Sequence, residues 1–363
     1  MRTLALTTLF AVGAAWACCP AMPAGARVKI ADQEVLIVYD AERGVEHFVR
    51  SAAFESEAEG FGFLVPTPSQ PTLAEADPWV FEALRDVTRP PVEYVKRYVP
   101  WPTCLCLAPA LMKAGSADPR ALTSGVEVLE VTHVAGYDAA VLRADDPAAL
   151  ERWLDERGYD PRPDLREWVQ PYVEQGWVVT AFKYVGGDDP RVVAQSVRMS
   201  FATDRPLFPY RVPKDQLAAP GEGNLLRLFY VGPERVQGTL GAAAQAWGAA
   251  LTFARRTDQP LPVRGSPYPL DELLQVALPE GSAVPAGAWL HCFEDSTWPG
   301  GTEDLFFTPA AEQTEVLPPP VQVTRTEEIP IPLELIALGA GGVWFVRWRR
   351  RRAARSEAGE AQA

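Results

Sequence analysis

A chain of 363 residues with 47% hydrophobic and 10% aromatic side chains can bury one large core or two smaller ones, which excludes a disordered or fibrous protein. Its 35 prolines are about twice the usual share and favour short elements and extended segments over long helices. The net charge is −13, and residues 27–332 hold 27 basic and 44 acidic side chains, a net −17; this acidic middle, with no basic stripe among aromatics, argues against nucleic-acid binding.

The N-terminal stretch MRTLALTTLFAVGAAWACC has one positive charge, an apolar run from Leu4 to about Ala15 and the small-x-small triplet Ala15-Trp16-Ala17. That pattern predicts a secretory signal peptide over residues 1–17. Cleavage after Ala17 leaves Cys18 at the new terminus, and whether its thiol is lipidated stays open, as does a second cleavage position after Ala26.

An α+β domain dominated by sheet, with a few short helices, is expected over residues 27–258. EVLIVYD, VEHFVRSAAFE and GFGFLVPTP are rich in Val, Ile and Phe and are separated by turn residues such as Ala41-Glu42-Arg43-Gly44, so they read as a meander of three strands. Asp77 caps and Pro78 opens a helix over WVFEALRDV that ends before Pro90-Pro91.

The blocks ADQEVLIVYD and VRSAAFESEAEGFGFLVPTPSQPTLAEADPWVFEALRDVTRP resemble a bacterial family known as domain of unknown function 2330. So do YDAAVLRADDPAALERWLDERGYDPRPDLREWVQPYVEQGWVVTAFKY and SVRMSFATDRPLFPYRV, and the resemblance covers residues 28–240. It departs at the start, where a Cys-Gly-Gly-Phe-like beginning is replaced by Cys18-Cys19-Pro20. The resemblance implies an exported location; it carries no established activity and no site residues.

YDAAVLRA reads as a strand, and Asp146-Pro147 starts a helix with Leu150, Trp153 and Leu154 on one face and Gly158 at its end. A second helix from Pro163 to Gln175 aligns Leu165, Trp168, Val169, Tyr172 and Val173, with Pro171 bending it, and GWVVTAFKYV returns as a strand. Further strands are expected at Val192–Phe201 and Asn224–Val231, with the tryptophans as core material rather than a ligand platform. Residues 259–332 are richer in proline and read as an appended segment and stalk.

LELIALGAGGVWFVRWRRRR then supplies an apolar run ending in arginines. Leu333 to Trp348 is about 24 Å long as a helix, and a start at Ile329 extends it to about 30 Å, enough to span a bilayer. Trp344 and Trp348 suit the interface, while Arg349, Arg350 and their neighbours in the 349–363 tail orient the C-terminus to the cytoplasm. The signal peptide requires the same orientation, so a single-pass cell-membrane protein with its main domain extracytoplasmic is expected. A cleaved sorting tail fits the same run, and Gly339-Ala340-Gly341-Gly342 leaves that choice open.

Candidate chemistry is sparse. Five cysteines, Cys18, Cys19, Cys104, Cys106 and Cys292, are disulfide candidates in an exported chain, with the pairing open and one thiol left over. Metal ligation by Cys104, Cys106 and the His291-Cys292 pair matches no standard zinc spacing. His47 and His133 fall in strand-like runs at the surface or half-buried, and no G-x-S-x-G, H-E-x-x-H or phosphate loop occurs. Gly186-Gly187-Asp188-Asp189 reads as a hairpin turn, although its carboxylates and those of HCFEDSTW also suit calcium. The expected function is a membrane-anchored module that binds or organises envelope components, without cofactor or catalysis. Its partners are the membrane and an envelope protein or small molecule. The alternative is a hydrolase or thiol oxidoreductase drawing on Cys104, Cys106 or His291.

Overall fold

The computed structural model describes residues 19–21, 28–56, 62–103, 132–143, 147–159, 162–184, 191–193, 196–217, 223–259, 270–332 and 344–351. These fall into two compact units, the first drawn from 1–89 and 127–318 and the second from 90–126 and 319–363.

The first unit begins with β1 (Cys19–Ala21), β2 (Val28–Asp40), β3 (Val45–Ser56), β4 (Gly62–Thr67), β5 (Thr72–Ala76) and helix α1 (Trp79–Thr88). After β6 (Val92–Thr103) of the second unit come β7 (Thr132–Val134), β8 (Tyr137–Leu142), α2 (Pro147–Asp155), α3 (Pro163–Glu174) and β9 (Val178–Tyr184). Then follow β10 (Arg191–Val193), β11 (Ser196–Ala202), β12 (Leu207–Phe208), β13 (Asn224–Gly232), β14 (Val236–Leu240) and β15 (Gln245–Ala246). β16 (Ala250–Arg256), α4 (Leu270–Gln275), β17 (Trp289–Trp298) and β18 (Leu305–Pro309) close the unit.

The largest sheet has eight strands in the order β16-β17-β13-β2-β3-β11-β5, with β10 also on β3. Its centre explains why EVLIVYD is a continuous apolar run and not an alternating one. Val35 and Ile37 face one core, Leu36 and Val38 the other, and all four are at most 1% exposed, each contributing roughly 1.5–3 kcal/mol by burial. Helices α1 and α4 cover one face through Val80, Phe81, Leu84, Leu270 and Leu274. The opposite face packs on a five-stranded sheet, β1-β4-β9-β8-β7, and on a four-stranded one, β12-β18-β14-β15. Helices α2 and α3 cover the outer side of the five-stranded sheet with Leu150, Leu154, Leu165, Trp168 and Tyr172. The described core of this unit is therefore layered helix, sheet, sheet, helix, a sheet-dominated α+β fold.

Local signals act as the sequence predicts at the helices. The Asp77 carboxylate accepts the Trp79 backbone N–H at 2.9 Å, and α1 stops before Pro90-Pro91. Gly158, at φ +81°, turns the chain after α2, where an L side chain would be strained. The β8-α2-α3-β9 unit closes as an antiparallel pair. Buried Trp168, Trp247, Trp289 and Trp298 are core material.

Three expectations change. β2 and β3 form the predicted hairpin across Gly44, but GFGFLVPTP does not continue the meander; β4 pairs with β9 in the other sheet. Every position of β4 is buried, so both of its faces need cover, and the edge of a meander would leave it exposed. The segment read as an appended 259–332 is divided: β17 lies between β16 and β13 in the largest sheet, and β18 lies inside the four-stranded sheet. The strands flanking Gly186-Gly187-Asp188-Asp189 do not pair with each other, because β9 joins β4 and β8 whereas β10 joins β3. The four residues themselves lie outside the described residues, as do the signal peptide and Cys18.

The second unit is a parallel ribbon of β6 and β19 (Val321–Pro332), in register from Val321 opposite Val92 to Pro332 opposite Thr103. The predicted extended stalk thus has a partner strand, and Lys96 and Glu327 form a cross-strand ion pair at 2.7 Å. Tyr94, Tyr98, Val321 and Val323 are exposed. Residues 344–351 form a helical segment, α5, with Trp344 and Trp348 stacked at 6.4 Å and exposed together with Arg349 and Arg350. No helix among the described residues is long and apolar enough to cross a membrane, and Leu333 with its neighbours to 343 lies outside them.

Candidate functional site

The outer face of the five-stranded sheet carries a polar row. Register places His133 opposite Asp138, Asp138 opposite Lys183, and Lys183 opposite Gly62. Tyr137, Ala139 and Phe182 beside them turn to the opposite core, so alternation puts the row on the face covered by α2. His133 Nδ1 lies 3.2 Å from Asp138 Oδ1, with both side chains substantially exposed. Lys183 forms no ion pair among the described residues.

Helix α2 leaves a cavity of about 240 Å³ against this face. Leu64, Ala140, Leu154 and Ala181 make it apolar, and Trp153 forms a wall. The Arg157 guanidinium lies 3.9 Å over the Trp153 ring and donates to the Trp153 carbonyl at 3.2 Å, so the cation is held in place at the rim. After the Gly158 turn the chain returns Tyr159 to the cavity, its backbone N–H bonded to the Leu154 carbonyl at 3.0 Å. The Tyr159 ring is 6% exposed and its hydroxyl is buried with no hydrogen-bond partner among the described residues. Burial first, and the nearby Asp138 charge second, push this phenol up to about 12, so it is a neutral donor at physiological pH. Gly62 makes room for it: a Cβ there would sit 3.1 Å from the Tyr159 hydroxyl and 2.4 Å from the Phe182 carbonyl oxygen.

The residues singled out from sequence lie elsewhere. His291 is fully buried in β17, accepts the Val236 N–H on Nε2 at 3.0 Å and donates from Nδ1 to the Tyr230 carbonyl at 3.1 Å. Both nitrogens are committed, and desolvation lowers its pKa to about 4, so it is a neutral structural group. Cys292 is a free thiol, 1% exposed, whose pKa burial pushes up to about 11. This corrects its place among the disulfide candidates: it sits inside the core beneath α1 and α4. Adjacent strand residues face opposite ways, so His291 and Cys292 cannot bind one ion together. Cys104 and Cys106 lie outside the described residues, and for Cys19 only its place in β1 is described.

The other suggested groups are also committed. Glu294 is held by Arg227 at 2.9 Å, and Asp295 accepts four hydrogen bonds, two of them buried. No cluster of three or more potential metal ligands occurs among the described residues. His47, expected at the surface or half-buried, is 6% exposed and lies 2.9 Å from Ser200 Oγ.

Glu46 is a buried acid whose Oε2 accepts the Leu207 N–H at 2.9 Å while Oε1 has no partner among the described residues. Desolvation raises its pKa well above the usual range. The unfolded chain ionises near pH 4.5 while the native acid keeps its proton, so stability falls as pH rises above that point. Glu46→Gln should therefore be relatively more stabilising at pH 8 than at pH 5, read from urea midpoints of both proteins. An offset that is constant or shrinks with pH contradicts the neutral acid.

The sequence places Trp153 in the core and Gly158 at a helix end, and it gives no signal for Asp138, Tyr159 or Lys183. Only the strand register brings these together, and no local motif marks it.

Fold and cavity together define a sheet-rich α+β domain with a small, mostly apolar groove lined also by Asp138, Arg157, Tyr159 and Lys183. The chain belongs to the bacterial family described as "uncharacterized protein conserved in bacteria", domain of unknown function 2330, whose model matches residues 13–273. Among solved structures it is similar to the crystal structure of baculovirus P35, with a TM-score of 0.36 and 6% identity, covering 81% of this chain and 100% of that one. No curated protein matches the sequence.

Proposed function

We propose that the protein is an exported, membrane-tethered binding module whose first unit takes a small ligand in the α2 groove and performs no chemistry on it. The observation that carries the binding reading is the buried hydroxyl of Tyr159, a residue lining an apolar cavity, which has no hydrogen-bond partner among the described residues. A buried hydroxyl without a partner costs about 1–3 kcal/mol, which a bound polar group would relieve. The inert settings of His291 and Cys292 leave them without a catalytic role.

The tether reading draws on the signal-like N-terminus and the apolar run before the arginines. The exposed Trp344, Phe345, Val346 and Trp348 support it, being a poor surface for water and a good one for a bilayer interface. The β6/β19 ribbon would serve as a stiffened stalk of roughly 40 Å. Truncation before Ile329 is expected to release the chain from sedimented membranes; a full-length chain recovered in the soluble fraction would refute the tether. A cleaved sorting tail would appear as loss of about three kilodaltons from the C-terminus, since 333–363 is 31 residues.

A further inference from the structure

The geometry points to a small amphipathic monocarboxylate as the ligand of the α2 groove, its apolar body against Trp153 and Leu154 and its carboxylate between Lys183, Arg157 and the Tyr159 hydroxyl. This rests on the reading of the groove as a ligand site and adds the chemistry of what enters it.

Size sets the first limit: 240 Å³ is the liquid volume of about eight waters, so the occupant has on the order of ten non-hydrogen atoms. Lining sets the second, because Leu64, Ala140, Leu154 and Ala181 offer a body no hydrogen bonds. Charge sets the third. Two cations, Lys183 and Arg157, line the groove beside one carboxylate, Asp138; His133 already lies against that carboxylate, and Glu156, which is not part of the lining, lies 3.9 Å from Arg157. Lys183 has no ion pair among the described residues, and the protonated Tyr159 hydroxyl is a donor in need of an acceptor. A head group that accepts from all three is an anion. A planar monoanion suits the flat guanidinium, whereas a dianionic phosphate would meet stronger repulsion from Asp138. An ammonium would face Lys183 and Arg157 and leave the hydroxyl no stronger acceptor than before.

The test is a ligand-observed NMR titration of the full-length chain in lipid nanodiscs, with empty nanodiscs subtracted. Three probes share one tail: hexanoate, hexan-1-ol and hexylamine. Hexanoate should bind about tenfold or more tightly than the alcohol, a difference of about 1.4 kcal/mol, and hexylamine more weakly still. Lys183→Glu should remove the preference for hexanoate over hexylamine. Tyr159→Phe should weaken hexanoate severalfold with the circular dichroism spectrum unchanged. If none of the three binds, the groove is not a ligand site and the binding reading falls with this one. If the alcohol or the amine binds as tightly as hexanoate, or Lys183→Glu leaves the order unchanged, the carboxylate assignment is overturned while the groove stands.

Discussion

Asp295→Ala is expected to lower the unfolding free energy by about 4 kcal/mol or more, a large part of the roughly 5–15 kcal/mol a domain has. Asp295 is 3% exposed near the end of β17. Its Oδ2 accepts the Tyr210 hydroxyl at 2.7 Å and the Trp247 indole N–H at 3.0 Å. Its Oδ1 accepts the Thr297 backbone N–H at 2.8 Å and the Thr297 hydroxyl at 2.7 Å. One carboxylate thus ties together donors from the segment after β12, the segment after β15 and the end of β17. Truncation leaves four donors, and each buried one costs about 1–3 kcal/mol. The Thr297 pair recovers part of this because it lies only partly buried. Asp295→Asn is no remedy, since its NH₂ would face N–H and O–H donors. Urea midpoints followed by tryptophan fluorescence read the effect, and a loss below about 1 kcal/mol would show that these bonds do not hold the segments together.

His291→Leu is expected to cost about 2–5 kcal/mol at pH 7, because the Val236 N–H and the Tyr230 carbonyl both lose their partner inside the core. The pH profile separates this from a simple packing defect. His291 has a native pKa lowered from 6.5 to about 4, so the unfolded chain takes up a proton over that interval while the native chain does not. Its contribution is therefore fully present above pH 6.5 and is lost as pH falls towards 4, amounting to about 3 kcal/mol. The gap between wild type and His291→Leu should be wide at pH 7.5 and narrow at pH 4.5. A gap of the same size at both values would mean that the imidazole is not neutral in the folded protein.

Much of the fold is legible in the residues. Leu150, Trp153 and Leu154, with Gly158 after them, specify α2 by spacing and a turn, and Asp77 with Pro78 specifies the start of α1, because these signals act over a few residues. The partners of a strand are not local. Nothing within GFGFLVPTP says that it joins β9 in a second sheet, and nothing within HCFEDSTW says that it fills the largest sheet between β13 and β16. The candidate site follows the same division. Asp138 and Lys183 lie 45 positions apart in the chain and meet only through the β8/β9 register, while the Tyr159 hydroxyl fits beside β4 because Gly62 has no side chain. His291 and Cys292 attracted notice as reactive types, yet their chemistry depends on burial, which places one on each side of a sheet.

The central claim, an exported binding unit held outside a membrane by its C-terminal segment, is tested most directly by protease accessibility. Intact cells carrying the full-length chain with a C-terminal tag would be treated with an external protease, where the outer envelope has been opened if there is one. The membrane fraction should then keep a small protected fragment bearing the tag, and every fragment from the first unit should be lost. A full-length chain protected from the protease until the cytoplasmic membrane is broken would contradict the claim.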